Sequence, residues 1–168
     1  MYNTKSIYLN LSQKDFINLI DKSVKKQEHV WFGADIGQLY SSTSGILDTK
    51  IYDYAKLYQV DKLSKGYNLK YNISSPNHAM LIVGYNMKDD EINKYLVENS
   101  WGKNDDADSE NKNNDIGKGY LAMSRGWLKK YTYAAVIPKH ILSVKQKSYL
   151  NKKPIMTEPW DIMSCELL

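Results

Sequence analysis

A nearly unbroken apolar run, Ala79 to Tyr85 (AMLIVGY), constrains this chain more than any other feature. It is too short for a core helix and reads as a strand buried on both faces. Lys94 to Glu98 (KYLVE) is a second strand, with Tyr95 and Val97 on one face. The polar stretch Asn86 to Asn93 (NMKDDEIN) connects the two, which predicts a hairpin with a long loop. Val30 to Asp35 (VWFGAD), Gly119 to Met123 (GYLAM) and Tyr131 to Ile137 (YTYAAVI) add further short strands, and Pro138 ends the last. In VWFGAD, Gly33 permits a turn or a close backbone approach. This succession predicts an antiparallel sheet or open barrel.

The clearest helix covers residues 11 to 27. Ser12 caps it, Asp15 takes the capping-box position, and Leu11 and Phe16 sit where a hydrophobic staple closes. Phe16, Ile17, Ile20 and Val24 line one face, while Lys14, Asp21, Lys22 and Lys25 face out. The class is therefore α+β, a sheet with flanking helices. Residues 36 to 75 show no sustained periodicity and read as a long excursion with short helical pieces around Ile51 to Leu57. Lys103 to Lys118 carries five acids and three lysines and reads as a mobile surface loop. From Ser143 the chain reads as Lys-rich coil with a Pro-flanked tail in which Trp160 is an anchor.

Composition bounds the function classes. The chain has 168 residues, 42% hydrophobic and 25% charged, enough for one domain or one lobe of something larger. No stretch of about 18 apolar residues exists to cross a membrane, and the first residues lack the pattern of a secretory signal. One cysteine, Cys165, excludes an internal disulfide and fits the reducing cytoplasm. The net charge is +4, but Arg125 is the one arginine among 23 basic residues. Groups that grip phosphates or bases favour the arginine fork, so this lysine-scattered surface ranks nucleic-acid binding last among the function classes.

Two segments carry chemistry. His78 stands at the mouth of the apolar strand in PNHAM, and Asn99 ends the next strand in VENSWG, 21 residues later. Adjacent hairpin strands bring such positions together. An Asn carbonyl accepting from one ring N–H fixes the imidazole tautomer and angle, while the other nitrogen faces a nucleophile. Trp101 is placed to cover that hydrogen bond and keep water from it.

These strings resemble the papain-like cysteine peptidases, and more narrowly the bleomycin hydrolase and aminopeptidase C branch. The resemblance rests on NHAMLIVGYN, KYLVENSWGKN, GKGYLAMSRGWLKKYTYAAVIPKHIL, VWFGADIG and the PWDIM tail, and runs from about Lys14 to the end. It implies the C-terminal lobe of a papain-like peptidase, with a helical lead-in over 1–30, an insertion over 31–74, a sheet lobe over 75–142 and a tail over 143–168. It also implies that His78 is the catalytic imidazole, that Asn99 orients it and that Trp101 shields the pair. The family's reaction runs through a cysteine thiolate and needs no metal or other cofactor. Family members trim amino acids from peptide N-termini, place the C-terminal tail in the cleft and assemble as hexameric rings, and some bind nucleic acid.

The sequence departs from the family at the nucleophile. Nothing here matches the block in which a Gln precedes a Cys-Trp, so the oxyanion-hole Gln is missing as well. Cys165 sits on a Pro-flanked tail beside Glu166, without the electropositive seat that a catalytic thiolate needs. The expectation is a chain that carries the base and its orienter but no nucleophile, inactive alone, as a fragment or as half of a split enzyme. The alternative is a degenerate relative kept for binding or assembly.

Overall fold

The computed structural model describes residues 8–100, 116, 119–156 and 158. Trp101, the segment Lys103 to Lys118 apart from Ile116, Trp160 and Cys165 lie outside the described residues.

The first helix, α1 (Gln13–Lys25), is capped by Ser12, whose hydroxyl accepts from the Asp15 backbone N–H (3.1 Å) and donates to the Asp15 carboxylate (2.8 Å). The carboxylate thus returns to the capping hydroxyl, a variant of the expected box. Ile17, Leu19, Ile20, Ser23 and Val24 are buried. Asp21 departs from the outward position expected of it. Its carboxylate accepts from the Tyr95 hydroxyl (2.6 Å) and pairs with Arg125 at 2.8 Å. Asp21 stands four residues after Ile17 and so borders the buried stripe, where a partnered carboxylate is tolerated.

The strands are β1 (Val30–Ala34), β2 (Tyr40–Ser41), β3 (Ile46–Leu47), β4 (His78–Lys88), β5 (Glu91–Asn99), β6 (Tyr120–Ser124) and β7 (Thr132–Ala135). They form one open, curled sheet in the order β2-β3-β6-β5-β4-β1-β7. Every pairing is antiparallel except β3 with β6. The expected α+β lobe, a sheet with flanking helices, is therefore what the chain forms.

Two expectations about the central hairpin are corrected. The strands run through most of the polar stretch and turn on Asp89 and Asp90 alone, both with positive φ (51° and 61°). Such a two-residue turn matches strand twist, and Asp tolerates the left-handed conformation. The apolar run is also buried on one face only. Met80 and Ile82 are buried while Ala79, Leu81 and Val83 are half-buried, because the core lies on one side of the sheet. On that side Ile17, Ile20 and Val24 of α1 meet Val30, Phe32, Met80, Ile82, Val97 and Leu121. The outer side leaves Trp31 and Leu96 exposed.

The same core takes in a helix the periodicity does not signal, α4 (Arg125–Tyr131), which buries Trp127, Leu128 and Tyr131 between β6 and β7. The Trp127 indole N–H donates to the Gln38 carbonyl at 2.6 Å. The excursion holds two short helices, α2 (Tyr54–Tyr58) and α3 (Lys65–Lys70). Tyr52, Tyr54, Leu57, Tyr58, Tyr67 and Tyr71 there are all exposed. The Lys65 ammonium is turned inward and donates to the carbonyls of Thr132 and Lys129, closing the end of α4. The stretch expected as coil after Ser143 instead forms α5 (Val144–Tyr149), started by a full capping box between Ser143 and Gln146.

Candidate active site

Strand alternation places the two candidate residues on one face. His78, Met80 and Ile82 share the side that β4 turns to the core, and Met80 is the cross-strand partner of Asn99. His78 therefore lies diagonally one step beyond Asn99, within reach of a side-chain contact. The contact is made: His78 Nε2 and Asn99 Oδ1 are 2.9 Å apart. Asn99 is buried and its backbone N–H donates to the Gly119 carbonyl at 2.9 Å. Gly119 has φ 80°, a conformation that favours glycine, so the turn into β6 holds the orienting residue from behind. His78 is only half-buried, at the sheet's end.

A carbonyl oxygen only accepts, so Nε2 is the nitrogen that carries the proton. Nδ1 is then the ring's acceptor and the nitrogen able to take a proton from an acid placed beside it. Such an arrangement has the chemistry to act as a base with a fixed tautomer. Among the described residues, no group of three His, Cys, Asp or Glu side chains gathers where it could hold a metal ion.

Two further residues frame the histidine. Asp35, buried at the end of β1, accepts on Oδ1 from the Asn77 side-chain N–H (2.7 Å) and from the Gly37 backbone N–H (3.2 Å). Asn77 precedes His78, accepts from the Ile36 backbone N–H on Oδ1 (3.0 Å) and donates its own backbone N–H to the Ala34 carbonyl (3.0 Å). Sequence reading did not single out either residue. The available signal was their place, one ending VWFGAD and the other opening NHAM.

The model of the peptidase C1-like family matches residues 2–164. The chain belongs to the peptidase C1-like family. It is 34% identical over 158 residues to aminopeptidase C of Listeria monocytogenes, covering 93% of this chain and 33% of that protein. It is 31% identical over 165 residues to bleomycin hydrolase of Homo sapiens, covering 95% and 34%. Among solved structures, PepW of Lactobacillus rhamnosis superposes with a TM-score of 0.80 at 35% identity, covering 92% of this chain and 33% of that one. The expected branch of the papain-like peptidases is thus borne out. The chain spans about a third of the length of the curated relatives it matches. As a peptidase C1-like chain it pairs His78 with Asn99; Trp101 and Cys165, the other two residues weighed for the site from sequence, lie outside the described residues.

Proposed function

We propose that this chain supplies the base-bearing side of a cysteine aminopeptidase site, with the thiol coming from a helical lobe outside this sequence, as the rest of a longer chain or the other half of a split enzyme. The observation that carries the reading is the 2.9 Å His78–Asn99 hydrogen bond in a chain of the peptidase C1-like family. Two facts support the need for a second lobe. The chain's one cysteine is Cys165, and the chain spans about a third of its aminopeptidase relatives.

In this reading His78 is the catalytic imidazole, Asn99 its positioning residue and Trp101 the cover over their hydrogen bond. His78 Nδ1 takes the proton of the incoming thiol, and the thiolate attacks the carbonyl carbon of the first peptide bond. The tetrahedral adduct collapses as the imidazolium returns that proton to the leaving amine, leaving an acyl-thioester. A water molecule, deprotonated by Nδ1, then attacks the thioester, and the thiol leaves with the proton. Asn99 holds the ring through both transfers. The substrate class is peptides with a free N-terminus.

Without the thiol the base has nothing to activate. The purified chain is therefore expected to leave aminoacyl-aminomethylcoumarin substrates uncleaved, as read by fluorescence. Turnover that persists in Cys165→Ala would contradict the reading.

A further inference from the structure

Resting on the reading of His78 as the catalytic imidazole, we infer that Asp35 is a positioning residue for it, acting through Asn77. His78 is the first residue of β4, where a strand frays unless something beyond the ladder holds it. What lies beyond is Asn77, and it is fixed at three points: its backbone N–H on the Ala34 carbonyl, its Oδ1 by the Ile36 N–H, and its Nδ2 on the Asp35 carboxylate. The last of these, at 2.7 Å, is charge-assisted and short. Asp35 is itself anchored, with its backbone N–H on the Tyr131 carbonyl (3.0 Å) and its Oδ1 on the Gly37 N–H.

The chemistry of this carboxylate is local. Asp35 is 4% exposed, yet the donors its side chain meets belong to Gly37 and Asn77. A buried carboxylate is costly, and its hydrogen bonds close a clasp between the end of β1 and the entry to β4. The clasp sets the backbone direction with which the chain enters His78, and so the line along which its ring meets Asn99. Asn77 is exposed, so removing its side chain leaves the core untouched.

The test reads the His78 ring Nε2–H by proton NMR on the full chain, without requiring catalysis. The ring proton is expected to be visible and slow to exchange in the unsubstituted protein. Asp35→Asn keeps an accepting oxygen and should retain it. Asp35→Ala and Asn77→Ala should accelerate its exchange about tenfold or more, the scale of one lost charge-assisted hydrogen bond. Amide exchange at Ile82 and Val97, mid-ladder, should stay unchanged. Asn77→Ala alone decides the matter if Asp35→Ala fails to fold. An unchanged ring proton in Asn77→Ala overturns the role of the clasp and leaves the proposed function standing. A ring proton missing from the unsubstituted protein overturns the His78–Asn99 bond, and both readings with it.

Discussion

Lys65 shows how a single residue can set a pH dependence. Its ammonium lies in the protein against the Thr132 carbonyl and over the Tyr133 ring, and burial pushes its pKa down from 10.5 to about 8. Below pH 8 folded and unfolded chains both carry the proton, and the cost of burying the charge is fully present. Between pH 8 and 10.5 the unfolded chain binds more protons than the folded one, so stability rises with pH. Burial also holds the Tyr95 hydroxyl well above its usual range, which lowers stability once unfolded tyrosines ionise, near pH 10. The window to measure is therefore pH 7 to about 9.5. Urea unfolding should show stability rising there by about 1–2 kcal/mol relative to Lys65→Met. Equal pH profiles for the two proteins would contradict the assignment. Residues of this kind are hard to read from sequence. His78 and Asn99 were legible because each stands at a strand end and the spacing suits a hairpin. The side chains of Lys65, Asp35 and Asn77 reach partners 41 to 67 positions away, which leaves no local pattern. Asp21 was misplaced for a related reason: helical periodicity sorts side chains by polarity and cannot see a polar partner on another element.

At the scale of elements, α1, β5 and α4 are joined by one polar network. Arg125 donates to the Tyr95 hydroxyl (3.0 Å) and the Ile92 carbonyl (3.2 Å) and pairs with Asp21, while Tyr95 donates to the same carboxylate. Arg125→Met should destabilise by about 2–3 kcal/mol, because it strands a largely buried carboxylate. Adding Asp21→Leu and Tyr95→Phe should recover part of that loss, since no charge is then left unpartnered. Chemical denaturation of the single and triple variants measures both, and strictly additive losses would contradict a shared network. The elements were legible in proportion to their length. α1 and the strands around AMLIVGY and KYLVE were plain. α4 spans seven residues between two strands, too few for a helical stripe to declare itself, although Ser124 was a usable cap. The same holds for α5, whose capping box was written in Ser143 and Gln146 but had no apolar face behind it. β2 and β3 hold two residues each, below any alternation window.

For the whole molecule, the fold and the reaction separate cleanly. Core packing explains why the sheet lobe holds His78 and Asn99 in register, and none of that packing supplies a nucleophile. In the proposed reading His78 is a general base without its acid and lowers no barrier alone, so activity belongs to this lobe and a thiol-bearing lobe together. The decisive measurement is hydrolysis of aminoacyl-aminomethylcoumarin by this chain mixed with a folded polypeptide carrying the Gln and Cys-Trp block of an aminopeptidase relative. The proposed division of labour calls for thiol-dependent turnover in the mixture, silence in either component, and loss of about two or more orders of magnitude with His78→Ala. A folded, verified mixture that stays silent, or one whose turnover survives His78→Ala, would contradict it.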